Sequence, residues 1–594
     1  MRGRLGVAIA FVSVVGLAAM PAAAAPKPPE KDPVAVGTGG AVATVDPLAT
    51  EAGLAMLRRG GNAVDAAVAA AATLGVTEPY SAGIGGGGFM VIYLAETGEV
   101  VTIDGREEAP SDPEFDEDVF LEDGVPIPFF PERITSGLAV GVPGTFATWV
   151  DALDRYGTVT IAQALQPGRV VAQRGFVVDQ TFADQTAGNL GRFRAITSTA
   201  DTFLVDGEVP EVGSVFRNPD LARTYHLLQR EGLDGFYSGE LAEEIVATVQ
   251  DPPVVDDPPF EVRPGLMVVD DIEQYEVLHP DPTQVEYRGY DVFGMGPPSS
   301  GGITVGESLN IGENFPLDTV DDVAFQHHVL EATALGFADR NAYIGDDRPQ
   351  YDYVPTTGLL SQAFADERAA LIDPLAAAAK PVAPGDPCDE DGSPLCVPDP
   401  AASAAAGGTS TTHLVTADTW GNVVSYTLTI ESTGGSAITV PGRGFLLNNE
   451  LTDFNSTGDG PNLPAPGKRP RSSMSPTIVL DDGAPFLAVG TPGGSTIITT
   501  VVEILTNRID RGLSLPEAIA APRATHRNTS TVGAEQAYRD LYETELSALG
   551  HQFSSRAEIG AATGLEFLDD GTVLAAAEPV RRGGGDAGVL RPSG

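Results

Sequence analysis

Two stretches of the chain are dense in β-branched and apolar residues at strand-like lengths, His413–Ala417 and Val423–Ile430. The turn DTWGN (Asp418–Asn422) separates them, which predicts a hairpin. Thr477–Leu480 and Phe486–Val489, joined by Asp481-Asp482-Gly483, predict a second one. FMVIYL (89–94) and Val100–Asp104 read as further strands, and Phe445–Phe454 as a strand running into an acidic turn. Helical patterning lies on either side of these. Residues 48–59 and 63–76 are Ala/Leu-rich arms around Gly60-Gly61-Asn62, a helical hairpin that Asp46 and Pro47 would start. Glu331–Tyr343 and Thr496–Ile509 are predicted helices, and another follows SGLAVGVPGTFATW (136–149). Strands and helices of this kind permit an α+β chain without singling one out.

The first residues change the picture of where the protein works. Arg2 and Arg4, the apolar Leu5–Ala19 and the small residues Ala22–Ala25 predict a secretory signal peptide over 1–25, hence an exported protein, secreted or in the cell envelope. No later stretch approaches about twenty uninterrupted apolar residues. The 35 basic and 82 acidic residues give a net charge of −47. That excludes nucleic acid and anionic membrane as expected partners and suits a solvated acidic surface. Two cysteines, Cys388 and Cys396, are an even count in an exported chain and predict a disulfide in a linker over 374–410 rich in Ala and Pro.

Residue chemistry alone is weak. Gly83–Gly88 matches G-x-G-x-x-G, but the glycines follow a helix and precede a strand, the reverse of a dinucleotide turn. His327, His328 and Glu331 offer metal-ligand types, yet no further ligand is indicated, and partly exposed helical histidines are the expectation. There is no G-x-S-x-G and no H-E-x-x-H.

Taken jointly, other segments are more specific. TTHLVTADTWGNVVSYT (411–427), SAGIGGGGFMVIY (81–93), DGREEAP (104–110), EYRGYDVFGMGPPSSGGITVGESLNIGENF (286–315), EATALGFADRNAY (331–343), KRPRSSMSP (468–476) and TPGGS (491–495) resemble the γ-glutamyltransferase (γ-glutamyl transpeptidase) family, in that family's order and over roughly residues 36–590. The resemblance implies the four-layer αββα fold of the N-terminal nucleophile hydrolases, two antiparallel sheets between helical layers. It implies self-cleavage at Ser410–Thr411 into a large fragment (26–410) and a small one (411–594) that stay together as a heterodimer. Thr411 becomes the nucleophile, with its freed α-amine, of reference pKa near 8, as the base. Thr429 orients it, and the amides of Gly493 and Gly494 form the oxyanion hole. Arg106, Ser472 and Ser473 take the donor's α-carboxylate; Glu450 and Asp453 take its α-ammonium.

The implied activity is transfer of a γ-glutamyl group, from glutathione or a γ-linked glutamyl peptide, to water or an amino-acid or peptide amine, with no cofactor. Rival readings are a poly-γ-glutamate depolymerase or transpeptidase, a β-lactam side-chain acylase, and an uncleaved binding protein. One departure matters: where the glutathione-active enzymes typically place an Asn that holds the donor's α-amino group, this chain has Glu431. The short FNSTGDGPNLPAPG (454–467) also lacks an aromatic lid. Three carboxylates around one small site would raise the pKa of at least one of them.

Overall fold

The computed structural model describes residues 27–397, 410–458 and 460–592. The predicted leader 1–25 and most of the linker's end lie outside them.

Twelve strands form the main sheet. In chain order they are β1 (Val34–Thr44), β2 (Gly87–Leu94), β3 (Glu99–Gly105), β4 (Thr283–Tyr287), β5 (Tyr290–Gly294), β6 (Thr412–Asp418), β7 (Val423–Thr429), β8 (Thr477–Asp481), β9 (Ala484–Gly490), β10 (Thr563–Phe567), β11 (Val573–Ala577) and β12 (Asp586–Pro592). The pairing order is β3-β2-β7-β6-β1-β11-β10-β9-β8-β5-β4, with β12 also on β1, and every ladder is antiparallel.

The ladder folds into two facing sheets that share β1. Its first residues, Val34–Gly37, pair with β11, whereas Gly40–Ala43 pair with β6. Between them Gly39 and Gly40 hold φ of 88° and 122°. The register against β12 shifts there, so the strand turns the corner through a bulge that only glycine adopts without strain.

Alternation along the strands assigns each face. Met90, Ile92, Leu414, Val424, Tyr426 and Leu428 point to a core built with α2 (Ala63–Thr77). Phe89, Val91, Val415, Ala417 and Val423 point the other way, into a core with Ile478, Val479, Leu487 and Val489 of the second sheet. That second core continues into Val305 and Leu309 of α4 (Gly301–Glu313) and Ile497 and Val501 of α6 (Thr496–Ile509). Helix α1 (Pro47–Arg58) covers β1 beside α2, α3 (Thr145–Tyr156) packs near β3, and α5 (Asp322–Tyr343) lies on α4. The layers are thus helix, sheet, sheet, helix.

Three expectations are corrected. Phe445–Phe454 is irregular: its first residues make only an isolated bridge, Thr439 to Leu446, its end is a short 3-10 turn at Glu450–Asp453, and the Asn448 amide between them ties the segment to neighbouring loops. It donates to Gly85 and Gly141 carbonyls and accepts from Gly141 and Glu450 N–H. Helix α5 begins nine residues before Glu331, where Asp321 caps it. His327 and His328, expected to be partly exposed, are 0% and 4% exposed. The structure joins Cys388 and Cys396 in a disulfide.

Candidate active site

Thr411 is the residue before β6, buried between the two sheets at the mouth of the first hairpin. Its φ of 151° is a rare conformation for a β-branched residue and concentrates backbone strain at the Ser410–Thr411 link. Its Oγ1 lies against the Ser410 carbonyl oxygen and 3.3 Å from Thr429 Oγ1 at the end of β7. The Thr429 hydroxyl accepts from the Glu431 N–H at 2.8 Å. Gly86 makes this approach feasible: a Cβ there would overlap the Thr429 carbonyl oxygen. Ser410 is tied down as well, its hydroxyl 2.9 Å from Ser81 Oγ and 3.1 Å from the Tyr80 carbonyl.

Arg582 completes this side. It donates to the Thr411 carbonyl and to Ser81 Oγ, both at 2.8 Å. Burial pushes its guanidinium pKa down, and Glu78 opposes the shift. Nothing in the sequence pointed to Arg582, which is 171 residues from Thr411. His413, by contrast, stays clear of the cavity. Burial pushes it down to about 3, and it hydrogen-bonds Thr427 Oγ1 at 2.8 Å while its ring fills the space a Cβ at Gly490 would need.

A cavity of about 30 Å³ adjoins Thr411, room for a few waters at most. Thr429, Glu431, Glu450, Asp453, Ser472, Ser473 and Gly494 all line it, together with Ser410. Gly493 and Gly494 sit at φ of 140° and 58° immediately before α6, though only Gly494 reaches the cavity.

Arg106 sits differently from its expected place. It lies behind the cavity wall, its guanidinium paired with Glu450 and, at 2.7 Å, with Asp453. It also donates to the Pro470 and Arg471 carbonyls at 3.0 and 3.2 Å. Burial opposes its charge, yet Glu450, Asp453 and Glu107 raise its pKa. The acids in turn are hard to ionise. Burial first, then Asp453 and Glu450, pushes Glu431 well above the carboxylate range. Burial and Glu107 raise Glu450 against the pull of Arg106, and burial lifts Glu107 to about 7.

Two arginines on the cavity wall were not foreseen. Arg340 of α5 donates to Ser300 and Ser473 hydroxyls, both at 2.8 Å, and Arg471 donates to the Arg340 and Ile344 carbonyls. Burial lowers both, Arg471 to about 10, with Asp453 opposing the shift in each. They stood within segments already singled out, EATALGFADRNAY and KRPRSSMSP, but only the fold shows that they meet. The loop Pro297–Gly302 packs against them, Ser300 donating to the Ser472 carbonyl.

A family model described as gamma-glutamyltranspeptidase matches residues 49–588. The glutathione hydrolase proenzyme of Bacillus subtilis (strain 168) is 39% identical over 94% of this chain and 94% of its own length. That of Escherichia coli (strain K12) is 34% identical over 96% and 97%. Among solved structures, the cephalosporin acylase from Bacillus halodurans superposes with a TM-score of 0.79 at 26% identity, covering 96% of this chain and 99% of the acylase.

Proposed function

Because the chain belongs to the γ-glutamyltranspeptidase family, we propose that it is an exported, self-cleaving γ-glutamyltransferase and hydrolase acting on glutathione or related γ-glutamyl compounds. The observation that carries this reading is the placement of Thr411 Oγ1 against the carbonyl of its own preceding residue, under a strained backbone, beside a charged cavity.

The first reaction is on the chain. Thr411 Oγ1 attacks the Ser410 carbonyl carbon, the Ser410–Thr411 C–N bond breaks, and the nitrogen takes up the hydroxyl proton. Water then hydrolyses the resulting ester, leaving a Ser410 carboxylate and a free Thr411 amine. The cavity of the intact chain is too small for a glutamyl group, so release of Ser410 would also make room for the donor. In the second reaction the α-amine takes the Thr411 hydroxyl proton as Oγ1 attacks the donor's γ-amide carbon. The amides at Gly493 and Gly494 receive the oxyanion. The leaving amine departs with the proton, and water or a second amine resolves the ester.

The relatives named as glutathione hydrolases support glutathione as a donor, and the apolar–basic leader supports export. The likeness to a cephalosporin acylase favours one second reading, hydrolysis of a β-lactam side-chain amide by the same Thr411 ester.

The test is denaturing gel and mass analysis of purified protein, run alongside hydrolysis of a γ-glutamyl chromogenic amide and a glutaryl-type cephalosporin. Expected are two fragments, the smaller beginning at Thr411, with turnover of the γ-glutamyl amide. Turnover by a chain that remains intact would overturn the mechanism.

A further inference from the structure

Ser495 and Arg527 adjoin the cavity and have no part in the reaction described so far. Ser495 follows Gly494 immediately before α6, is 8% exposed and lines the cavity. Its side chain caps no helix amide and instead accepts from Arg527 Nη1, 32 residues further on. With that lone pair engaged, and no acceptor for its own proton among the described residues, the hydroxyl has an O–H left to donate.

Arg527 follows the short strand Ala524–Thr525. Its Nε is buried without a hydrogen-bond partner. The charge that acts on it is Arg556, another cation, and burial together with that repulsion lowers it to about 10. A buried-edge guanidinium with no carboxylate to balance it is costly unless a ligand supplies the anion. A second set of free donors lines the same cavity. Ser472 accepts from the Met474 N–H at 3.1 Å and Ser473 from Arg340 Nη2 at 2.8 Å, so both keep a proton to donate, and Arg471 Nη2 is buried without a partner. Ser473 is held by Arg340 and Ser495 by Arg527, and no hydrogen bond joins the two pairs. They can therefore hold two anions.

We propose that Ser495 and Arg527 form a second anion subsite, for a carboxylate on the leaving side of the donor. The proposal rests on the γ-glutamyl function above and narrows its substrate class. The set with Ser472 and Ser473 takes the donor's own α-carboxylate, four bonds from the reacting carbon. Ser495 is placed for the other side. Consecutive Cα atoms are about 3.8 Å apart, so Ser495 stands within a few ångströms of the Gly494 amide that receives the oxyanion. In a γ-glutamyl amino acid the leaving residue's carboxyl carbon is three bonds from the reacting carbon, roughly 3–4 Å away. γ-Linked glutamyl oligomers carry a carboxylate at that position, whereas glutathione has a neutral peptide bond there. An acceptor amine enters where the leaving amine departs, so the same pair would hold the carboxylate of an amino-acid acceptor.

Three donors test this on the cleaved enzyme: γ-glutamyl-alanine, γ-glutamyl-alaninamide and γ-glutamyl methylamide, with release of the amine followed at low ionic strength. Expected is a kcat/KM about tenfold higher for the alanine donor than for its amide, a preference that shrinks as NaCl is raised. In Arg527→Met the ratio should fall to near one, and Arg527→Lys should restore part of it, since a charge remains. Ser495→Ala keeps the guanidinium and should lower the ratio about threefold. Appearance of the two fragments and the thermal midpoint report whether each variant folds, and the wild-type ratio needs no variant. A wild-type ratio near one, with the methylamide turned over, overturns the subsite and leaves the γ-glutamyl function standing. A ratio retained in Arg527→Met overturns it too. So do equal losses on acid and amide, which would give Arg527 the donor's own α-carboxylate. Failure to turn over any of the three donors removes the function and the subsite together.

Discussion

The two walls of the cavity are built from different materials. On the Thr411 side the groups are neutral: hydroxyls of Ser81, Ser410, Thr411 and Thr429, backbone carbonyls, and a single guanidinium at the edge. On the opposite side charge is buried in bulk, with Arg106, Glu107, Glu431, Glu450 and Asp453 in mutual contact or range, and Arg340 and Arg471 beside them. The neutral wall gains its reactivity from position and strain. The charged wall is a balance of desolvation against pairing, in which removing one partner leaves another uncompensated. Substitutions on the first should therefore alter chemistry while sparing the fold, and those on the second should alter affinity and stability together.

The sharpest test of the neutral wall is Thr411→Ala. It should remain one chain and lose γ-glutamyl turnover by at least about a thousandfold, as removal of a nucleophile does. Thr411→Ser keeps a hydroxyl and should still cleave. Thermal midpoints of the uncleaved variants should stay within a few degrees of each other; a collapse would mean that Thr411 is part of the framework.

Arg106→Lys breaks the charged wall. The charge stays, but the fork that spans Glu450 and Asp453 does not. A charged hydrogen-bonded contact of about 1–3 kcal/mol corresponds to a ten- to hundredfold rise in KM for a γ-glutamyl donor. Self-cleavage should continue at its normal rate, because it needs no donor. Equal loss of cleavage and of affinity would erase the distinction between the walls.

Arg582→Gln addresses the one cation of the neutral wall. It removes charged hydrogen bonds to the Thr411 carbonyl and Ser81. Cleavage, followed as precursor half-life, should slow about tenfold, with donor KM nearly unchanged.

How far these walls were legible in the sequence follows the same division. The β-branched runs and their turns placed β6, β7, β8 and β9 within a residue or two, while Thr411 and Thr429, at strand ends, were singled out by the family resemblance. The charged wall comes from loops, where no periodicity exists. Arg106 was found by motif, but its burial behind Glu450 and Asp453 depends on the irregular 445–454 segment. Arg340, Arg471 and Arg582 face the site only because distant elements pack together.

Glu107→Gln measures the cost of the buried charge through pH. Its folded pKa is raised to about 7 by burial, against an unfolded value near 4.3. A raised carboxyl contributes stability that is fully present below the unfolded pKa and is lost as pH rises through the folded one. Wild-type stability should thus fall between about pH 4.5 and 7.5 by an amount of order 1–3 kcal/mol from this group. The Gln variant should show a flatter curve in thermal melts. An identical slope in both would remove Glu107 from the charged network.

Glu431→Asn is the mildest change and bears on which donor the charged wall accepts. Glu431 holds φ of 75°, a conformation Asn tolerates better than Glu, so the replacement should not unsettle the backbone. Its carboxyl is raised by burial and by Asp453 and Glu450, and Ser432 Oγ donates to it. An α-ammonium is held best by the ionised form, so wild-type donor affinity should improve as pH rises through that raised pKa, and the Asn variant should lose this dependence. Removing one of three carboxylates weakens the pull on cationic groups but also lowers the repulsion met by a second, anionic glutamyl unit. FNSTGDGPNLPAPG carries no aromatic residue beyond Phe454, so once Ser410 is released a γ-linked oligomer would meet no aromatic lid from this segment. Glutathione and a γ-linked glutamyl oligomer, competed at equal concentration, should be used comparably by the wild type or with the oligomer ahead. In Glu431→Asn their ratio should change several-fold. A strong preference for glutathione that is the same in both proteins would show that Glu431 does not select the donor, and would leave the charged wall with a purely electrostatic role.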